Sequence, residues 1–315
     1  MGVSIIENSE NNKNLRQTIN EMMMAISSGD ARQLLRMFHA GAPLSWKVPG
    51  IGASTPSGPL EHACVSGNEE AVEVVLIAMN QASKPITSEA LTWASKSDNL
   101  QVVDLIVEAL EKEAGPATNW IDVVSPKDNG QTPLLIAAGR DNVKCVHRLL
   151  ELGADKHAKD YSGADAVECA IRGKNVGCAK ALLNLIGAGN VNDQGDTPLM
   201  VALKTQFSEG IFQLIPQSNP DALNARGRSA LMQAACDTKT PLGVLEALAA
   251  NMRTFSVPER RLVELASAMG AASALGNDEG SAMLGEMVES VALRIEMNAM
   301  LPAGTTTSAA KKQRL

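Results

Sequence analysis

Residues 129–160, NGQTPLLIAAGRDNVKCVHRLLELGADKHAKD, hold two short apolar runs at helical spacing, with a polar break between them. Leu134 and Ala137 stand three apart and share one helix face. Val143, Val146, Leu149 and Leu150 repeat with the same period. Gly130 precedes the first run, where a tight turn needs positive φ. Thr132 takes the N-cap position, and Pro133 fits the first turn, where a missing N–H costs nothing. Ala137 and Ala138 are small enough for another helix to approach closely. Asn142 marks the turn between the runs, and Gly153 ends the second. The pattern predicts turn, helix, turn, helix and loop in about 33 residues, a unit that cannot bury both helix faces alone and so implies neighbours.

An apolar residue followed three positions later by Ala recurs along the chain. The pairs are Met22/Ala25, Leu60/Ala63, Leu91/Ala94, Leu134/Ala137, Val167/Ala170, Leu199/Ala202, Leu231/Ala234 and Val263/Ala266, in steps of 38, 31, 43, 33, 32, 32 and 32 residues. The two long steps contain insertions, PLSWKVPGIGASTPSG (43–58) and EKEAGPATNWIDVVSPKD (111–128). The predicted fold is all-α, with helix-turn-helix units at 15–42, 54–80, 86–110, 127–159, 160–188, 192–220, 224–250 and 257–300. Residues 1–14 are expected to be a flexible start and 301–315 a disordered basic tail.

GQTPLLIAA, LLELGADKHAKD and NDQGDTPLMVAL resemble the ankyrin repeat family. The first is close to that family's G-x-T-P-L-H-x-A-A pattern, with Leu135 where His is usual. The match is strong at 127–160 and 192–205 and partial at 224–250, where Ser229-Ala230 replaces Thr-Pro. It is weak at 160–186, where Asp165-Ala166-Val167 stands for Thr-Pro-Leu and Asp165 still offers a cap. At 57–80 and 88–110, Pro59-Leu60, Ala63, Gly67 and the second-helix leucines and valines remain. The outer units match by spacing alone, as an array needs when its terminal repeats face water. The resemblance implies an all-α ankyrin-repeat solenoid with short finger loops.

Composition narrows the function classes. Apolar residues make up 45 % of the chain, enough for a continuous core, but aromatics only 3 %, which argues against a base-stacking surface. A net charge of −7 disfavours broad binding to nucleic acid or anionic membrane. No apolar run reaches membrane-spanning length. MGVSIIENSENNKN lacks a basic start and apolar stretch, so it is not a secretory signal peptide. Ile6 stands where a myristoylation motif needs Ser or Thr. A polar start of this kind suits export by a bacterial needle-type machine and delivery into a host cell, although many intracellular proteins begin the same way.

Candidate chemistry is sparse. The five cysteines, Cys64, Cys145, Cys169, Cys178 and Cys236, are an odd number and fall in predicted helices. Cys145 and Cys178 share a repeat position. Packed helices lie roughly 8–10 Å apart, too far for a disulfide. All five are therefore expected as reduced core thiols of a reducing, cytoplasmic compartment. His62/Cys64 and Cys145/His147 look like nucleophile and base, but residues i and i+2 on a helix diverge. His39 and His157 are expected exposed, at or beyond second-helix ends. No zinc-ligand spacing and no phosphate-cradling glycine loop occurs. Met22-Met23-Met24 reads as the apolar face of the first helix rather than a soft-metal surface. No metal, cofactor or enzymatic machinery is expected. The alternative is an effector enzyme, a transferase or cysteine protease with divergent repeats, which would need its own domain of 100 or more residues.

What remains is a surface. The resemblance implies that finger loops and first helices line a concave groove that binds another protein. Carried over by position, the fingers supply Lys127, Asp128, Asn129 and Gln131, then Asp160, Tyr161, Ser162 and Ala164. Asn192, Asp193, Gln194 and Asp196 follow, then Ala225, Arg226 and Arg228. The first-helix ends add Gly139, Arg140, Arg172, Lys204 and Asp237. These positions are expected to be free of packing duty, with Tyr161, Arg226 and Arg228 of the types that dominate interface energies. Trp46 and Trp120 lie in the two insertions and are candidate anchors, unless each folds back over apolar surface. Trp93 is expected in the core. The expected function is a protein-binding adaptor or scaffold.

Overall fold

The computed structural model of the protein describes residues 3–45, 58–117, 120–187, 190–219, 222–251 and 258–300. They fold as consecutive pairs of antiparallel-reading helices in two compact units, residues 1–193 and 194–315. The first unit contains α1 (Val3–Ser28) with α2 (Ala31–His39), α3 (Pro59–Ser66) with α4 (Glu69–Gln81), and α5 (Glu89–Ala94) with α6 (Leu100–Ala114). It continues with α7 (Pro133–Ala138) and α8 (Val143–Glu151), then α9 (Ala166–Arg172) and α10 (Val176–Ile186). The second unit holds α11 (Pro198–Thr205) and α12 (Ser208–Leu214), α13 (Ala230–Ala235) and α14 (Leu242–Asn251), and α15 (Pro258–Ala274) and α16 (Asp278–Met300). Among the described residues there is no strand, only one antiparallel bridge between Ser125 and Gln131.

Within each unit first helices pack on first helices and second helices on second helices. Thus α1, α3, α5, α7 and α9 form one row and α2, α4, α6, α8 and α10 the other, and the second unit repeats the scheme. The apolar positions that set the period are the ones buried, except the last pair: Val263 is exposed and Ala266 half-buried, and Leu265 and Ala268 take the core positions of α15 instead. Leu91, Ala94, Leu134, Ala137, Val167, Ala170, Leu199, Ala202, Leu231 and Ala234 are all in the core. Helices of six to nine residues would not persist alone in water; burial of nearly every side chain of α7 and α9 holds them.

The first-helix starts vary in how they are capped. Asp165 accepts from the Glu168 N–H and Ser229 from the Met232 N–H. Thr197 accepts from the Met200 N–H, but Thr132 makes no such bond. Its hydroxyl is buried and has no hydrogen-bond partner among the described residues. Leu135, which stands where the resembled pattern has His, offers it no polar atom. The expectation that Thr132 caps through its side chain therefore fails, while Pro133 still starts the helix. Thr132→Val should change the unfolding free energy by less than about 0.5 kcal/mol or raise it, because it removes an unmatched buried hydroxyl. Thr197→Val at the same repeat position should cost about 1 kcal/mol. Chemical denaturation of the two variants compares them directly.

Second helices are joined from repeat to repeat by asparagines at their starts. Asn68, Asn99 and Asn142 cap their own helices, accepting from the N–H of Ala71, Gln101 and Cys145. Asn99 also donates through Nδ2 to the Gly67 carbonyl, Asn142 to the Ser97 carbonyl and Asn175 to the Ala138 carbonyl. Each side chain thus fastens its helix to the repeat before it. At α10 the cap comes from the neighbour, with Asp141 accepting from the Cys178 N–H. In the second unit Asn277 caps through the Gly280 N–H and reaches the Ala235 carbonyl, but α12 starts after a buried Phe207 with no side-chain cap.

At the N-terminal end α1 begins at Val3, within the stretch expected to be a flexible start. Ile19, Met22, Ala25 and Ile26 are buried and anchor α1, and extending a formed helix costs far less than starting one. The tail at 301–315 lies outside the described residues.

Candidate functional site

The fingers are stacked on one another, and that stacking consumes many of their polar atoms. Asn129 and Gly130 both adopt positive φ at the tip of the α7 finger. A Cβ on Gly130 would lie 2.4 Å from the Tyr161 ring, so the next finger's tyrosine rests directly on this glycine. The Tyr161 N–H donates to the Asn129 carbonyl, and the Asn129 amide donates to Asp160. Asp160 also accepts from the Ser162 N–H, the Ser162 hydroxyl and the Ala164 N–H. Burial alone would raise its carboxyl, but those bonds outweigh it and hold Asp160 below the ordinary carboxylate range. Asn224 plays the same part in the second unit, accepting from the N–H of Arg226 and Arg228 and donating to Asp196.

The expectation that finger positions are free of packing duty is therefore corrected. Asp128 pairs with Lys96 at 2.8 Å and accepts from Ser125. Arg172 pairs with Glu168 at 2.6 Å and donates to Ser162. Lys204 pairs with Asp196. Asp193 packs against Gly163, Gln131 donates to the Cys169 sulfur, and Gln194 accepts from the Ala225 N–H. In a stack each finger is its neighbour's wall, so its polar groups must satisfy that neighbour first. Tyr161 keeps 65 % of its surface exposed while resting on Gly130. Lys127 is exposed beside Trp93, and Arg140, Arg226 and Arg228 are exposed with no ion-pair partner among the described residues.

Trp120 is only 3 % exposed and its Nε1–H donates to the Gly115 carbonyl. It folds back over the array, so it does not present its ring to a partner. Trp46 lies outside the described residues. Trp93 is buried as expected, with the Lys96 ammonium 3.8 Å from its ring centre.

These side chains line two grooves, one in each unit. The first, of about 250 Å³, runs over Lys96, Asp128, Gln131, Ile136, Gly139, Arg140, Cys169, Arg172 and Gly173. The second, of about 320 Å³, is lined by Leu203, Lys204, Asn224, Arg226, Arg228, Gln233, Cys236, Asp237 and Thr240. Each is built from finger residues on one wall and first-helix residues on the other. Lys96, Gly139, Arg172, Lys204 and Cys236 are equivalent positions in successive repeats. The pairing acids are buried behind them: Glu168 and Asp196 are 1 % exposed. Burial pushes the Glu168 carboxyl above its ordinary range, against the pull of Asn192 and Arg172.

The thiols offer little nucleophilic chemistry. Burial pushes Cys145, Cys169 and Cys178 up to about 12, and Cys64 higher still. His62 lies 3.5 Å from the Ser27 hydroxyl, not against Cys64, and burial lowers its pKa while the Met23 carbonyl raises it. Cys236 departs from expectation: it follows the last residue of α13 and is only partly buried. With a water-soluble disulfide reagent, Cys236 should react at least about a hundredfold faster than the other four, which must wait for local opening. Mass mapping of the first modified residue checks this. Among the described residues no group of three His, Cys, Asp or Glu could hold a metal ion, and no helix is long and apolar enough to cross a membrane.

Known proteins place this geometry. A family model described as "Ankyrin repeats (3 copies)" matches residues 60–160 and 91–193. The putative ankyrin repeat protein FPV244 of fowlpox virus (strain NVSL) is 27 % identical over 145 residues, which are 46 % of this chain and 20 % of that protein. Among solved structures, the human ASB11 ankyrin repeat domain aligns with a TM-score of 0.56 at 21 % identity, covering 73 % of this chain and 96 % of that one. The ankyrin repeat domain of Bcl-3, described as a unique member of the IkappaB protein family, aligns with a TM-score of 0.50 at 20 % identity, covering 72 % and 97 %. At these identities the solved structures establish the fold alone.

Proposed function

We propose that this chain, which belongs to the ankyrin-repeat family, is a non-enzymatic adaptor that binds another protein through its finger-lined grooves. Ankyrin repeats are commonly protein-interaction modules. The observation that carries the proposal is where unemployed side chains gather. Many polar atoms of the fingers are spent on the stack, yet Arg140, Arg226 and Arg228 stand exposed at the groove walls. Arginine is a frequent anchor of protein interfaces, and a wall held by interlocked fingers loses little freedom on binding. The elevated cysteines support a binding role over thiol chemistry. Five free cysteines without a disulfide suit a reducing, cytoplasmic setting.

The test is capture from a cell lysate with the full chain as bait. A groove-blocked variant, Gly139→Trp, serves as control, and intact-mass measurement is made on whatever is retained. The account expects specific proteins that the control fails to retain, with unaltered masses. Captured proteins carrying a new covalent mass would instead favour the enzyme reading.

A further inference from the structure

The charge of the grooves runs opposite to that of the chain. The protein carries a net charge of −7. The first groove nonetheless presents Lys96, Arg140 and Arg172 against the single acid Asp128, and the second presents Lys204, Arg226 and Arg228 against Asp237. Pairing cancels part of this: Lys96 and Asp128 neutralise one another, and Arg172 is paired with the buried Glu168. Arg140 has no ion-pair partner among the described residues, and Lys127 is exposed at the finger edge.

The floor between the two arginines is backbone. Gly139 and Gly173 follow the ends of α7 and α9 and both line the groove. A Cβ on Gly173 would fall 2.9 Å from the Gly139 carbonyl oxygen and 2.5 Å from the Asn175 amide, so this position accepts no larger residue. Neither glycine places a side chain in the groove between the cations. The Arg172 guanidinium is already fixed by Glu168 and by the Ser162 hydroxyl. A fixed planar fork loses little side-chain entropy when it takes a carboxylate.

From this arrangement we propose that the groove of the first unit binds an acidic, extended segment of a partner protein, its carboxylates taken by Arg140 and Arg172. The proposal rests on the protein-binding reading above and specifies the chemistry of what is bound. Single-stranded nucleic acid would also supply negative charge. It is disfavoured because Tyr161, the exposed aromatic near this groove among the described residues, already rests on Gly130, and base stacking needs a free ring.

The test is selection of twelve-residue peptides from a random display library on the full chain, followed by affinity measurements on the winners. Two variants are compared, with melting temperatures confirming that both fold. Arg140→Glu reverses one exposed charge; Gly139→Trp fills the groove without changing charge. The expected result is winners enriched in Asp and Glu. Both variants should weaken them by about tenfold or more, and binding should also weaken as salt rises. Winners without acidic enrichment, lost on Gly139→Trp but indifferent to Arg140→Glu, would overturn this inference and leave groove binding standing. Winners indifferent to both variants would overturn the two together. A twenty-residue thymidine oligonucleotide that binds more tightly than the best peptide at physiological salt, and depends on Arg140, would replace the acidic peptide with nucleic acid.

Discussion

Asn142→Ala should lower the unfolding free energy by about 2–4 kcal/mol, one of the largest losses expected from a single polar side chain in this protein. Two contributions combine. Asn142 accepts from the Cys145 N–H at 3.1 Å and so caps α8, and losing a cap costs about 1 kcal/mol. Its Nδ2 donates to the Ser97 carbonyl one repeat earlier, and an orphaned buried carbonyl costs about 1–3 kcal/mol. Asn142→Ser separates them. Serine can still cap, but it is too short to reach Ser97, so it should keep roughly 1 kcal/mol of the stability that alanine loses. Urea denaturation of the three proteins measures both terms. Equal stability for all three would mean that the asparagine does not fasten the repeats.

The repeat register was legible because burial repeats with it. Leu134/Ala137 and its equivalents as far as Leu231/Ala234 mark the core face, whereas in α15 the buried pair is Leu265/Ala268 and not Val263/Ala266; Pro133, Pro198 and Asp165 begin helices as their types require. The asparagine ladder was missed, although its signal was present: Asn68, Asn99, Asn142 and Asn175 each stand at a second-helix start. Read one repeat at a time, an asparagine there is only a turn former; its second bond appears when the preceding repeat is stacked beside it. The fingers were misread for the same reason. Nothing local to Tyr161 says that it will rest on Gly130, or that Asp160 will serve Asn129. Trp120 looked like an anchor because its loop is long, and the Gly115 carbonyl that holds its indole lies in that same loop. The groove arginines were legible as exposed positions. Their contrast with the buried acids was not: Asp196 reads as a finger position, and nothing local to Glu168 marks it for burial until the helices are packed.

The groove side chains should affect binding far more than stability, and core side chains the reverse. Leu134 is fully buried between helices, so Leu134→Ala should cost about 2–5 kcal/mol of stability and reduce binding only through unfolding. Arg140 and Arg226 are exposed, and replacing either with alanine should alter stability by less than about 0.5 kcal/mol. If they anchor the partner, the same changes should cost about 2 kcal/mol of binding free energy. Tyr161→Ala is intermediate: it removes an exposed aromatic from the finger edge and also uncovers Gly130, so both quantities should fall.

The most direct measurement is the affinity for a captured partner and the melting temperature, taken together on Arg140→Ala, Arg226→Ala and Leu134→Ala. The account predicts that at least one arginine variant binds about thirtyfold more weakly with an unchanged melting temperature, while Leu134→Ala melts early and retains its affinity below that transition. Normal binding by both arginine variants would contradict recognition through the finger-lined grooves.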